Sequence, residues 1–288
     1  MPTTRLRRTS DRALQPLRAR HVPRRASTTG RIAHMQIGIV GAGKIGLTLA
    51  RKLSAAGHTV LVANSRGPET IREIAAASGA SAVDAADAVR RSQVVIVSVP
   101  FNALPRLKNL FAEIDDSVIV IDTSNYFPFR DGTPECLADS QTESHWVSAQ
   151  LGRSVVKAWN SILAGSLVDR GLPSGADDRI ALPVSGDDSA GRATAMKLVD
   201  ETGFDAIDAG SLDESWRQEP GNPAYCTDLS AADLELALQR ANRATATKKR
   251  DLVADKVFAA RDQYTDEDIL TLGRRVYNLT SEDDELRG

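Results

Sequence analysis

Cysteine is nearly missing from this sequence: Cys136 and Cys226 are the only two in 288 residues. That excludes a disulfide scaffold and a multi-cysteine zinc site, and it suits a reducing, cytoplasmic compartment. The four histidines, His21, His34, His58 and His145, lack ligand spacing, so no metal is expected. Aromatic residues make up 5% of the chain, too few for the stacking platforms that hold single-stranded nucleic acid. No apolar run approaches the roughly 20 residues a bilayer requires. Neither nucleic acid nor membrane is therefore an expected partner.

Lysine is absent from residues 1–34, which instead carry nine Arg against the single acid Asp11. With a net charge of −2 for the whole chain, this basic leader stands at +8 and the remainder at −10. Such a leader reads as a transit peptide, as a nucleic-acid arm, or most plainly as an extension ahead of a natural start at Met35. It is too polar to build a core and is expected to be disordered. The acidic remainder does not suit a nucleic-acid surface.

What is present is an ordinary globular composition, 42% hydrophobic and 26% charged, in a length that suits about two domains. From Gln36, short apolar runs alternate with helical stretches, the pattern of a doubly wound parallel α/β sheet of Rossmann type. Expected strands are 36–40, 59–63, 81–83, 94–99, 118–122 and 154–159. A first helix is expected over 44–56, with Ile45, Leu49 and Leu53 on one face and Gly57 ending it. A crossover helix is expected over 102–114, its first turn constrained by Pro105. The turn-rich stretch 123–133 follows a strand's carboxyl end, where open α/β sheets place ligands. A small α/β element is expected over 180–208, and past Ala241 a solvated helical tail.

The strongest chemical signal is Gly41-Ala42-Gly43-Lys44-Ile45-Gly46. It follows an expected strand and opens an expected helix, as the dinucleotide fingerprint requires. Gly41 permits the tight turn, Gly43 admits the pyrophosphate, Gly46 lets helix and sheet pack, and the helix amino terminus favours the phosphates. The second strand ends in Asn64-Ser65-Arg66, where an NAD enzyme usually places an acid. An acid would repel a 2′-phosphate, whereas Arg66 can pair with it and Ser65 can donate to it, so NADP(H) is the expected cofactor. Asn64 or Ser65 can equally cap the next helix. No nucleophile with its base is evident, and hydride transfer needs none: alignment alone lowers a barrier by about 7–11 kcal/mol.

The fingerprint, Asn64-Ser65-Arg66, Val155-Val156-Lys157-Ala158-Trp159-Asn160, Val184-Ser185-Gly186-Asp187-Asp188 and Asp208-Ala209-Gly210-Ser211-Leu212 together give a resemblance over about residues 35–240. The chain resembles the NADPH-dependent coenzyme F-420 reductases, F-420 being the 8-hydroxy-5-deazaflavin coenzyme. The resemblance implies that Ser65 and Arg66 bind the 2′-phosphate and that Ser98-Val99-Pro100 borders the nicotinamide and deazaflavin rings. It further implies a small domain closing over the second ring, with Trp159, Asn160, Trp216 and Arg217 as acceptor-binding residues. Asn160 stands where an archaeal type of the family has a histidine. The expected organisation is a leader over 1–34, an NADP-binding domain over 35–158, a small acceptor-binding domain over 159–241 and a polar helical tail over 242–288. The expected partner is a small-molecule hydride acceptor, and a homodimer is left open. The alternatives are an NADPH-dependent reductase acting on a flavin, a ferric chelate or a β-hydroxyacid or imine substrate, and a non-catalytic NADP sensor. Plainer roles stand beside the functional ones: Asp187 and Asp188 as helix caps, Arg217 paired with Glu214 or Glu219, Asn160 as a buried hydrogen-bonding group, and Cys226 as packing.

Overall fold

Ile37, Ile39 and Val40 alternate with Gly38 in a run without charge, and every one of these side chains is buried. That run is β1, Gln36–Val40, in a computed structural model that describes residues 34–137, 142–259 and 263–278. The expected leader lies, apart from His34, outside the described residues.

Four strands follow β1 in its sheet: β2 (Thr59–Ala63), β3 (Ser81–Ala82), β4 (Val94–Val97) and β5 (Ile119–Asp122). Three more, β6 (Val156–Lys157), β7 (Ala181–Gly186) and β8 (Asp205–Asp208), complete it. The helices between them are α1 (Lys44–Ala55), α2 (Arg72–Ala77), α3 (Ala85–Arg90), α4 (Lys108–Phe111), α5 (Pro128–Asp131), α6 (Glu143–Leu151), α7 (Ala164–Asp169) and α8 (Ser189–Glu201). Beyond β8 come α9 (Ala231–Gln239), α10 (Arg243–Ala259) and α11 (Asp266–Tyr277).

The strand order is β3-β2-β1-β4-β5-β6-β7-β8. All neighbours are parallel except β6 and β7, which run antiparallel. The chain moves outward one way through β2 and β3, then returns and moves the other way from β4, so the topological switch lies between β1 and β4. Side chains alternate across the sheet. Val94 and Ile96 join Ile37, Ile39, Leu49 and Leu53 on one face, while Val95 and Val97 join Phe101, Phe111 and Trp146 on the other. Each such fully buried aliphatic side chain contributes roughly 1.5–3 kcal/mol, which is how both faces stay covered.

Four elements depart from expectation. The crossover at 102–114 is a 3₁₀ segment, Phe101–Leu107, followed by one turn of α-helix, because Pro105 supplies no N–H in its middle. β4 ends at Val97; Ser98 still donates to the Val40 carbonyl at 2.8 Å, and the chain leaves before Pro100, which has no donor. β6 is two residues long because Trp159 takes a left-handed φ of 54°. The small α/β element expected over 180–208 joins the parallel sheet through an antiparallel pairing, with Val156 opposite Gly186 and Lys157 opposite Ser185.

The expected solvated tail is also corrected within the described residues. α10 and α11 are helices, but Val253, Ala254, Leu270, Val276 and Tyr277 are buried, and α11 begins with a capping box between Thr265 and Asp268. Even Lys249 is buried, its Nζ donating to the Tyr277 carbonyl at 3.1 Å. The acidic run 282–285 lies outside the described residues. Among the described residues, no helix is long and apolar enough to cross a membrane.

Candidate active site

The carboxyl ends of β1, β4, β5 and β6 open into one cleft of about 400 Å³. Gly43, Lys44 and Ile45 line it on one side, Ser98-Val99-Pro100 and Thr123-Ser124-Asn125 form its floor, and Trp159, Asn160, Leu163, Tyr225 and Cys226 form the far wall.

The glycine loop is built from backbone. Gly41 has φ of +119°, and a Cβ there would lie 2.0 Å from the Ser98 carbonyl oxygen. A Cβ on Gly46 would press on the Gly41 carbonyl, so both positions demand glycine for internal reasons. Gly43 differs: a Cβ there would meet nothing within 4 Å. The protein itself does not need glycine at that point, and the open space suits a ligand approaching the backbone. Gly43 is also the N-cap of α1, and no side chain caps the first turn. The N–H groups and partial positive charge of that turn are therefore available to phosphate.

At the end of β2, the Asn64 side chain accepts from Arg66 N at 3.0 Å and donates to Thr70 Oγ1 at 2.8 Å, so Asn64 shapes the turn. Ser65 and Arg66 are exposed, and neither side chain has a partner among the described residues. Ser65 does not cap the next helix. An uncapped helix terminus, an open cradle at Gly43 and a free guanidinium with a hydroxyl at the end of β2 together fit NADP.

The other side of the cleft is built from side chains. One register row crosses the sheet as Ala63, Val40, Val97, Asp122, Lys157 and Ser185, apolar to the middle and polar beyond it. Lys157 and Asp122 are fully buried and meet at 2.8 Å. Burial opposes the Lys157 charge, but Asp122 and then Glu143 outweigh it and hold the ammonium above its ordinary range. Lys157 Nζ also donates to the Ser124 carbonyl at 2.5 Å, and Asp122 accepts from Ser124 N at 2.9 Å. Arg130 donates to the Asn125 carbonyl, and Glu143 accepts from Tyr126 N at 3.1 Å. The loop after β5 is thus held at four backbone groups between Ser124 and Tyr126.

Asn160 is 2% exposed and tied on three sides. It donates to Asn125 Oδ1 at 3.0 Å and to the Gln218 carbonyl at 2.8 Å, and it accepts from Gln218 Nε2 at 2.8 Å. Ser185 donates to Gln218 Oε1 at 2.8 Å, which connects this network to β7. Asn160 is therefore a positioning residue that also lines the cleft. Beneath the loop, burial raises the carboxyls of Glu143 and Glu219, and proximity to Glu219 raises Glu143 further. Burial likewise pushes the Cys226 thiol up, which disfavours its thiolate. Ser124 lines the cleft, and its Oγ is buried without a hydrogen-bond partner among the described residues.

The expected residues separate cleanly. Gly43, Lys44, Ile45, Ser98, Val99, Pro100, Trp159 and Asn160 line the cleft, Gly41, Ala42 and Gly46 shape the loop, and Asn64, Ser65 and Arg66 sit on the adjacent strand end. The Trp159 indole is buried in the core and donates to Thr202, so it anchors the wall. Trp216 and Arg217 are not brought to the cleft. Arg217 bonds Glu214 at 2.5 Å, lies 4.6 Å over the Trp216 ring and borders a different depression beside β8 and α9. Arg217 thus has the plainer role of a local ion pair with Glu214, at a distance from the cleft's lining. Asp188 caps α8, as its plainer role has it. Asn125 lies in the expected ligand-placing stretch 123–133, whereas Tyr225 and Cys226 were not expected in the wall and lie in a segment without periodicity.

Residues 36–126 match the family described as NADP oxidoreductase, coenzyme F420-dependent. The chain is 36% identical over 111 residues to the protein YjhV of Escherichia coli (strain K12), covering 38% of this chain and 81% of that one. Among solved structures, it is similar to SMa0349 of Sinorhizobium meliloti at 30% identity and a TM-score of 0.58, over 68% of this chain and 95% of that one. A structure from Arthrobacter sp. FB24, named for F420-dependent NADP reduction, shares the fold at 24% identity and a TM-score of 0.51, over 64% and 87%. With a Rossmann-type sheet, an NADP-fitting loop and these matches, the chain belongs to the coenzyme F-420-dependent NADP oxidoreductase family.

Proposed function

We propose that this member of the family passes a hydride between NADPH and coenzyme F-420. The observation that carries the reading is the cleft itself, in which the phosphate loop and Ser98-Val99-Pro100 face the Trp159–Asn160 wall across about 400 Å³. When bound, the nicotinamide supplies a hydride. The chain's part is to bind, align and exclude water. The first turn of α1 receives the pyrophosphate, and Arg66 with Ser65 receives the 2′-phosphate. The Ser98-Val99-Pro100 turn sets the depth of the nicotinamide. Asp122, Lys157, Arg130 and Glu143 hold the 124–126 loop rigid, which fixes the acceptor's plane before it arrives. Phe127, Ile162 and Leu163 line the cleft and keep water from the reacting carbon. A planar deazaflavin suits this arrangement because it takes the hydride in one step and asks for no protein nucleophile.

The test is to mix the purified chain with NADPH and, separately, oxidised F-420, flavin mononucleotide or a ferric chelate. Bleaching of the deazaflavin matched by loss of NADPH absorbance is the expected result, with the other acceptors inert. Turnover of flavin or ferric chelate alone would reassign the acceptor. Tight NADPH binding without any turnover would make the protein a sensor.

A further inference from the structure

Gln218 ends the 3₁₀ segment Leu212–Gln218, and its side chain joins β7 to the far wall of the cleft. Oε1 accepts from the Ser185 hydroxyl at 2.8 Å, and Nε2 donates to Asn160 Oδ1 at 2.8 Å and to the Pro183 carbonyl at 3.4 Å. Asn160 Nδ2 donates in turn to the Gln218 carbonyl at 2.8 Å and to Asn125 Oδ1 at 3.0 Å. Asn125 Nδ2 returns a bond to the Asn160 carbonyl at 2.8 Å. Asn125 and Asn160 line the cleft, whereas Gln218 and Ser185 are fully buried outside that lining.

A carboxamide has the same shape at its oxygen and nitrogen ends, so only its partners decide which way it turns. The nitrogen of Asn160 lies against the Gln218 carbonyl and that of Asn125 against the Asn160 carbonyl, main-chain oxygens that can only accept. Asn160 Oδ1 is left facing Gln218, which must present its own nitrogen there and turn its oxygen to Ser185. A half-turn of any one amide would set oxygen against oxygen. The polarity of the Asn125–Asn160 pair at the cleft is therefore backed by residues that a ligand in the cleft does not meet. A second observation falls at the same place. Trp159, directly before Asn160, has a φ of 54°, which a bulky residue rarely adopts. Such a conformation persists where its surroundings over-determine it, and these conformations gather at ligand clamps and active sites. Here the Trp159 indole bonds Thr202 on one side of the turn, and Gln218 with Asn125 holds the next residue on the other. An apolar side chain would supply the volume; three matched carboxamides fix an orientation as well.

We propose that Gln218 is a positioning residue for the hydride acceptor. It acts through Asn160, holding the Trp159–Asn160 turn and the Asn125 amide in the one arrangement that the acceptor ring meets. Gln218 lies beyond the matched residues 36–126, so the wall of the cleft is set from a part of the chain outside the cofactor-binding half. Its link to the acceptor rests on the cleft being the site of hydride transfer. Its hold on the wall does not.

Gln218→Met in the full chain keeps the length of the side chain and removes its amide. It should lower the urea midpoint, as any loss of a buried partner does. It should also raise the KM for F-420 about tenfold, the usual cost of leaving a buried hydrogen-bonding group unpaired, and keep the NADPH KM within about twofold. Ser185→Ala, a milder change at the far end of the network, should raise the F-420 KM by about threefold. A lower midpoint with the F-420 KM unchanged would make Gln218 a packing residue and overturn the proposal, as would equal rises for both substrates. Side-chain amide NMR with NADP⁺ present reads the wall without the acceptor. In the parent, the Asn160 amide protons should exchange with water more slowly than those of exposed Asn109, and Gln218→Met should speed Asn160 while Asn109 holds still. Unaltered Asn160 exchange overturns the proposal. Should Gln218→Met fail to fold, the same two readouts in Ser185→Ala decide. A parent that leaves F-420 unreduced, with Asn160 exchange quickened in the variant, removes the acceptor reading and supports the hold on the wall. A parent that reduces F-420, with KM and exchange unaltered in the variants, keeps that reading and removes the positioning role.

Discussion

At the carboxyl end of β1 the cleft is made of backbone: a glycine turn, an uncapped helix and a strand end whose Ser65 and Arg66 side chains hang free. At the carboxyl ends of β5 and β6 it is made of side chains, with Lys157, Asp122, Asn160 and Gln218 buried and each hydrogen-bonded. The first region recognises charge at its surface and keeps its donors open for a ligand. The second consumes its own donors to hold a loop still. A binding half and a positioning half respond differently to mutation: loss of a free group costs affinity, and loss of a buried partner costs stability.

The largest effect that separates the halves is expected from Lys157→Met. It leaves Asp122 charged and alone in the core, and breaking a buried pair costs about 3–5 kcal/mol. Urea unfolding should show a loss of that order, with cofactor preference unchanged in whatever protein remains folded. Arg66→Ala should do the opposite. NADPH should bind weaker by about 1.5–3 kcal/mol, the worth of a charged hydrogen bond, while NADH affinity and unfolding midpoint stay where they were. Equal losses for both cofactors would move Arg66 into the structural class.

A third test reads a slope. Glu143 keeps its proton in the folded state above the ordinary value of 4.5, where the unfolded chain releases it. The folded state then binds more protons, so this group lowers stability as pH rises from that value through the folded pKa. Glu143→Gln can still accept from Tyr126 N and should flatten the decline, although Glu219, raised in the same direction, keeps part of it. Unfolding midpoints from pH 4.5 upward would show this, and an unchanged slope would contradict it. The smallest effect is expected from Thr265→Ala. Losing the α11 capping box should cost about 1 kcal/mol without changing NADPH binding.

The same division explains what could be read in the sequence. The glycine loop, β1, β2 and α1 were legible to within a residue or two because local backbone rules govern them. Pro105 was noticed, but its effect on a whole crossover depends on hydrogen bonds across several turns. Arg217 looked like an anion-binding residue, yet Glu214 three positions earlier and Trp216 beside it take its charge locally. The antiparallel pairing of β6 with β7 depends on the long connection 158–180, which holds a helix and turns and so leaves strand direction unspecified by any local hairpin rule. Apolar positions in α10 and α11 are sparse, and the small residues Ala254 and Gly273 hide a buried face that larger side chains would have announced.

The most direct measurement follows the hydride. NADPH deuterated at the hydride-bearing carbon is mixed with the full chain and oxidised F-420, and the reduced deazaflavin is weighed by mass spectrometry. One deuterium in each reduced F-420, matched to each NADPH consumed, is the expected result, since the proposed transfer aligns both rings directly in one cleft. NADPH that binds tightly while no label reaches the deazaflavin would contradict the assignment of this cleft to direct transfer between them.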